Sequence, residues 1–201
     1  MNVEEIALGM FDAGIVKFGT FTYKSGLTGP IYLDHSNIAC SPKLLEKVAL
    51  AYTEKMKAAH VQKMCAVPYK AIVIGSVVAI QSSIPMLFTR KEVKEYGTKK
   101  LIEGIFTTGE EVAIIEDLAT TGISIIEVAR KLREAGLIVK DAFVNVDREQ
   151  GGRANLAKEG IQLHANMTLT QMLDVYVKHG KITKEKSEEV KNYIAQNQKV
   201  Y

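Results

Sequence analysis

The chain has 201 residues, 47% of them hydrophobic and 24% charged, with a formal net charge of +3. That balance predicts one globular domain, residues 1–201, with a sizeable core, and it excludes a disordered chain or a general nucleic-acid coat protein. Cys40 and Cys65 make neither a metal spacing nor a disulfide framework, the N-terminus lacks a leader layout, and the longest apolar run, Ala71 to Ile80, is too short to cross a bilayer, so a soluble, cytoplasmic protein without a nucleic-acid or membrane partner is expected.

In chain order, residues 2–13 carry Val3, Ile6, Ala7, Met10 and Phe11 at helical spacing, with Gly14 just beyond, and predict an amphipathic helix. From Val16 to Tyr23, polar Lys17, Thr20 and Thr22 interleave with Val16, Phe18, Phe21 and Tyr23, as a strand or hairpin requires. Gly26, Gly29 and Pro30 supply a turn, and Ile31 to Asp34 a second short strand. Ser41-Pro42 opens a helix to about Ala59, with Ser41 as N-cap and Pro42 in its first turn. Cys65 to Val67 reads as a short buried strand leaving through Pro68-Tyr69-Lys70, and Ala71 to Ser83 as a helix apolar on nearly every side. Met86 to Thr89 is a strand. Arg90 to Lys100 follows, with five basic residues against two acidic ones, too charged for a core element. A strand opens at Val112 and a helix follows to Ala135-Gly136. Val139 to Val146 is a further strand with DREQGGR at its end. A short helix over 152–159, a strand over 161–166 and two helices, Leu169–Lys178 and Lys184–Gln196, complete the chain.

This alternation predicts an α/β fold, a mostly parallel twisted sheet flanked by helices. Ligands of such sheets bind beyond the C-terminal strand ends. Three polar exits fall there: Pro68-Tyr69-Lys70, Glu116-Asp117 with its loop, and Asp147-Arg148.

The stretch Val112 to Ser124, VAIIEDLATTGIS, carries the densest chemistry. Four apolar residues deliver two adjacent acids and then a small-residue turn, Thr120-Thr121-Gly122, that opens a helix. The unpaired N–H groups and partial positive charge of a helix start favour an anion, and Gly122 allows close approach. Thr120, Thr121 and Ser124 can add hydroxyl donors. Two carboxylates beside that anion suit hydroxyls or a developing cation rather than bare phosphate. The plainer alternative is an ordinary strand-to-helix loop with Ser124 as N-cap, and spacing alone leaves the two even.

The IIEDLATTGIS stretch resembles the phosphoribosyl-diphosphate (PRPP) binding motif of type I phosphoribosyltransferases. With FGTFTYKSGLTGPIYLD, RKEVKEYGTKK and VDREQGG, nearly the whole chain resembles orotate phosphoribosyltransferases, most of all the orotate domain of bifunctional UMP synthases. The resemblance implies the type I phosphoribosyltransferase fold with a small N-terminal hood of helix and strands. It also implies conversion of orotate and PRPP to orotidine 5′-monophosphate and diphosphate, with Mg²⁺ carried on PRPP rather than on direct protein ligands. Lys94, Glu116 and Asp117 take the catalytic positions. Lys70, whose loop in the family often contains a cis peptide, falls with Arg90, Lys91 and Tyr96 among the PRPP-binding positions. Ala119, Thr120, Thr121, Gly122, Ile123 and Ser124 match the phosphate loop. Orotate falls to Lys24, Tyr32, Thr120 and Arg148, with Phe21 as a further stacking candidate, although strand aromatics are more often core. The family's mobile loop, here 90–104, reaches the neighbouring subunit's site, which implies a homodimer. Many relatives carry Arg where this chain has Ser36, and His35 is a candidate to compensate. The alternatives are a phosphoribosyltransferase for another base and a PRPP-sensing regulator that keeps the fold.

Overall fold

The computed structural model describes residues 3–22, 28–90 and 101–201. Its main sheet has six strands: β3 (Met64–Ala66), β4 (Met86–Thr89), β5 (Ile102–Glu103), β6 (Ala113–Ala119), β7 (Asp141–Asp147) and β8 (Gln162–Thr168). They lie in the order β5-β4-β3-β6-β7-β8. All neighbours are parallel except β4 and β5. After β3 the chain steps to β4 on one side; after β6 it steps to β7 on the other. The junction of β3 and β6 is therefore the topological switch point, where the loops leaving two neighbouring strands diverge and open a crevice.

Right-handed crossovers on either side of that junction place α3 (Lys70–Ser82) and α4 (Ile123–Glu134) on opposite faces. With both faces covered, β3 and β7 are almost wholly buried, as parallel strands under two helical layers must be. Helix α2 (Pro42–Ala58) packs on α3 and reaches β7 and β8. Tyr52 of α2 is fully buried, and its hydroxyl donates to the Glu116 carbonyl at 2.8 Å. A residue that helical spacing assigns to the apolar face thus pins the strand that carries the two acids.

Apart from the main sheet, β1 (Val16–Thr22) and β2 (Thr28–Leu33) form an antiparallel pair. Helix α1 (Val3–Asp12) packs against α6 (Leu169–Lys178), where the buried Tyr176 hydroxyl donates to the Ala7 carbonyl at 2.9 Å. A short helix α5 (Gly152–Lys158) and the last helix α7 (Lys184–Gln196) complete the elements.

Several boundaries differ from the sequence reading. Gly29 and Pro30, expected in a turn, lie inside β2, where the two-stranded ribbon tolerates a residue without an N–H. Helix α3 is not apolar-buried all round: Ile80 is 81% exposed and Val73 38%, because a helix on a sheet covers only one side. Ile102 and Glu103, at the end of the charged segment read as loop, pair with β4. β6 extends through the two acids to Ala119, since β7 continues to pair with it there.

Candidate active site

Four strand exits meet at the C-terminal edge of the sheet. β3 leaves through Val67 and Pro68, and the Pro68–Tyr69 peptide is cis. Lys70 opens α3, and its ammonium stands 3.7 Å from Asp34 Oδ1. Asp34 is braced in turn by Ser36, whose hydroxyl donates to it at 2.6 Å and whose N–H donates at 3.3 Å. That Ser36 contact, ahead of the weaker pull of Lys70 and Lys17, holds the Asp34 carboxyl below its usual range. Ser36 thus ends the chain Lys70–Asp34–Ser36.

Glu116 and Asp117 are consecutive in β6, each only 7% exposed. Glu116 accepts from the Asp117 N–H at 3.0 Å, and the Ser124 side chain hydrogen-bonds to it. Burial first, and the neighbouring Asp117 second, push its carboxyl up to about 9. The Asp117 carboxyl meets that of Glu116 and also stands beside an imidazole: its Oδ2 lies 3.5 Å from Nδ1 of the fully buried His35. One acid is therefore tied to the helix start and the other to a buried imidazole.

The loop after β6 settles the N-cap question left open by the sequence. The cap of α4 is Gly122, in the left-handed region at φ 80°, and no side-chain hydrogen bond caps the helix. Ser124 is not the cap; its side chain turns to Glu116 instead. The first turn of α4 thus keeps the N–H donors and partial positive charge that an anion would meet. This loop is held from below. Gly152 N–H donates to the Thr120 carbonyl at 2.9 Å, and the Asn155 amide donates to the Thr121 carbonyl at 2.9 Å. A Cβ on Gly122 would come within 3.1 Å of Leu156 and 3.3 Å of the Gly152 carbonyl. Two glycine-bearing turns therefore pack backbone to backbone.

At the end of β7, Arg148 is buried, and its N–H donates to the Ala119 carbonyl at 2.8 Å, which ties this exit to the phosphate loop. Asp147 anchors this turn by accepting from Glu149 N–H at 2.9 Å and from the Arg153 guanidinium at 3.2 Å. The turn is fixed from the far side by the final residues: Lys199 N–H donates to the Gln150 carbonyl, and Asn155 to the Lys199 carbonyl.

Of the residues expected at the site, Lys70, Glu116, Asp117, Ala119, Thr120, Thr121, Gly122, Ile123, Ser124 and Arg148 lie on this one edge. Arg90 leaves β4 at the same edge, with its guanidinium engaged by Glu103 at 2.9 Å. Tyr32 is on the hairpin, 37% exposed and 5.6 Å from the Phe21 ring, so these two aromatics pair with each other outside the buried core. Lys24, Lys91, Lys94 and Tyr96 lie outside the described residues. The sequence reading passed over Tyr52 as a site residue, and over Asn145 and Asn155. Only Asn145 left a visible trace, as a polar residue inside the apolar run FVNV.

The switch-point crevice, the paired acids and the uncapped helix start define a type I phosphoribosyltransferase. No protein-family model matches the chain. It is 43% identical over 194 residues to the uridine 5′-monophosphate synthase of Bos taurus, covering 96% of this chain and 40% of that protein. It is 38% identical over 179 residues to an orotate phosphoribosyltransferase of Caenorhabditis elegans, covering 88% and 79%. Among solved structures, the UMP synthase of Leishmania donovani superposes with a TM-score of 0.90 at 33% identity, over 98% of this chain and 43% of that one. The chain belongs to the orotate phosphoribosyltransferase family. It spans less than half the length of the UMP synthases it matches.

Proposed function

We propose that this protein transfers the phosphoribosyl group of PRPP to orotate, giving orotidine 5′-monophosphate and diphosphate in pyrimidine nucleotide synthesis. The observation that supports this reading is the tie between two exits: the Arg148 backbone N–H bonds to the Ala119 carbonyl, so a buried arginine leaves β7 directly beside the start of the phosphate loop. A planar anionic base and a ribose phosphate then have adjacent recognition groups.

The chemistry divides among these exits. The anomeric C–O bond to diphosphate breaks with its electron pair leaving on oxygen, and the orotate ring nitrogen gives up its proton, on balance to the departing oxygen, and supplies the pair for the new C–N bond. The α4 start and the hydroxyls of Thr120, Thr121 and Ser124 hold the 5′-phosphate. Asp117 and Glu116 face the ribose hydroxyls and the positive charge that develops on the sugar. A carboxyl held neutral by burial gains its charge most readily when a cation forms beside it, so Glu116 suits that transition state better than the resting site. Lys70 and Arg90, with Lys91 and Tyr96 of the basic segment, receive the diphosphate. Lys94 neutralises or protonates the departing oxygen. Lys24 and Arg148 hold orotate, with Tyr32 and Thr120 beside it.

Mg²⁺ fits this donor set as an ion delivered on PRPP. It takes oxygen ligands and commonly keeps substrate phosphates among them, and the buried carboxyls Glu116 and Asp117 at this edge are oxygen groups beside the place proposed for the ribose. PRPP oxygens would hold it, and when bound it supplies charge neutralisation for the leaving group. The proposed setting is a cytoplasmic homodimer whose 90–104 segments serve the neighbouring sites. Among the described residues no helix is long and apolar enough to cross a membrane.

The test is direct. Protein, Mg²⁺, PRPP and orotate are mixed and orotate absorbance is followed. A PRPP-dependent loss of absorbance is expected, and a flat trace would sink the proposal.

A further inference from the structure

Behind Asp117 runs a buried polar chain that the transfer reaction as described does not use. His35, Asn145 and Asn166 are respectively 0%, 0% and 5% exposed, in a region otherwise lined by apolar side chains. Asn166 Nδ2 donates to Asn145 Oδ1 at 3.2 Å. Asn145 Nδ2 lies 3.3 Å from His35 Nε2 and 3.4 Å from the Met10 sulfur. His35 Nδ1 lies 3.5 Å from Asp117 Oδ2, and among the described residues no group makes a hydrogen bond to that nitrogen.

These contacts fix the direction of every proton. A thioether sulfur only accepts, so the end of the Asn145 amide that faces Met10 is its NH₂. The opposite end of that amide is then its oxygen, which accepts from Asn166. The NH₂ therefore donates to His35 Nε2, and an imidazole nitrogen that accepts carries no proton. The proton of a neutral ring must then sit on Nδ1, pointing at Asp117. Neutrality follows from the surroundings. Burial lowers the ring's pKa first; Asp117 and Asp34 pull it up, and Lys70 pushes it down, with a net lowering.

We propose that His35 is a positioning residue for Asp117: fixed by Asn145 as the Nδ1–H tautomer, it aims its single proton at the carboxylate and holds that carboxylate toward the ribose. The proposal rests on Asp117 acting at the ribose, as proposed above. A separation of 3.5 Å is long for a hydrogen bond, and catalytic contacts of this kind commonly shorten when substrate closes the site. The chain ties the 3-10 turn after β2, which carries His35, to three adjacent strands of the main sheet: Asp117 on β6, Asn145 on β7 and Asn166 on β8. An orienting group so anchored holds its geometry against motion of any one element.

Two measurements test it. In wild-type protein, the ¹⁵N shifts of the His35 ring should show a protonated Nδ1 and a bare Nε2; the opposite tautomer would overturn the proposal without any activity measurement. Kinetically, His35→Leu should lower kcat on the order of 10- to 100-fold, the scale of a displaced catalytic group, with the KM for orotate unchanged. Because His35→Leu leaves Asn145 buried without its partner, the double variant His35→Leu/Asn145→Leu is the decisive one. Replacing both partners leaves only Asn166 without its acceptor, so part of the lost melting temperature should return, yet kcat should stay low. His35→Asn, whose amide NH₂ sits near the former Nδ1, should recover most of the turnover. A double variant with wild-type kcat, or a His35→Asn protein no better than His35→Leu, overturns the proposal while wild-type turnover remains intact. Absent turnover in the wild type would overturn the functional reading, and this one with it.

Discussion

Glu116 and Asp117 are neighbours in sequence with different tasks imposed by their surroundings. Both stand at the C-terminal end of β6, yet Glu116 meets Ser124 at the start of α4 while Asp117 lies 3.5 Å from His35. Burial raises the Glu116 carboxyl, which has a consequence for stability. The native state then binds a proton that the unfolded state releases above its ordinary 4.5, so stability falls as pH rises from there toward about 9. Glu116→Gln removes that proton uptake. Its melting temperature should gain on the wild type between pH 5 and pH 9 while its turnover drops; a difference independent of pH would show that Glu116 is not held neutral. Sequence could single out this acid pair, because two carboxylates before a Thr-Thr-Gly turn are unusual. It could not rank them, since nothing in the order Glu-Asp says which one faces an imidazole.

The functional elements are loops braced by other loops. The phosphate loop rests on the Gly151-Gly152 turn, and that turn rests on the last residues of the chain: a Cβ on Gly151 would collide with the Lys199 carbonyl. Gly152→Ala is the sharper probe. Its new methyl would stand 2.8 Å from the Thr120 carbonyl, a backbone atom that cannot rotate away. Overpacking of this kind typically costs about 1–3 kcal/mol, and here the displaced element is the phosphate cradle itself. The expected result is a lower denaturation midpoint together with a raised KM for PRPP and little change in the KM for orotate. An unaltered KM for PRPP would show that the cradle does not depend on this brace. The two C-terminal helices were legible to the residue, because Thr168 and Thr183 cap them and apolar spacing is regular. The two-residue β5 was not, being too short to carry a period.

For the whole molecule, the separation of the basic segment from the acid pair gives the proposal of shared sites its test. Lys94→Ala should reduce turnover on the order of 10²–10³-fold, the loss typical of one charged donor in a transition state. Asp117→Asn should be similarly impaired. If each site draws Lys94 from one subunit and Asp117 from the other, mixing and co-assembling the two inactive proteins restores some sites carrying both residues. Partial recovery of activity is the expected outcome. Recovery no greater than the sum of the separate proteins would confine each site to a single chain.

The sequence by itself determined the alternation of strands and helices, the exits at which polar residues leave the sheet, and the match of its motifs to one family. Periodicity and turn chemistry are local, so a window of a dozen residues suffices for the first two, and the motifs are contiguous. The tertiary structure decided what was not local. It placed β3 beside β6, which makes the switch point. It gave the helix cap to Gly122 and Ser124 to Glu116. It also joined His35 to Asn145 across 110 positions. A lone histidine after a strand reads as structural or functional with equal ease; only the groups packed around it fix where its proton points.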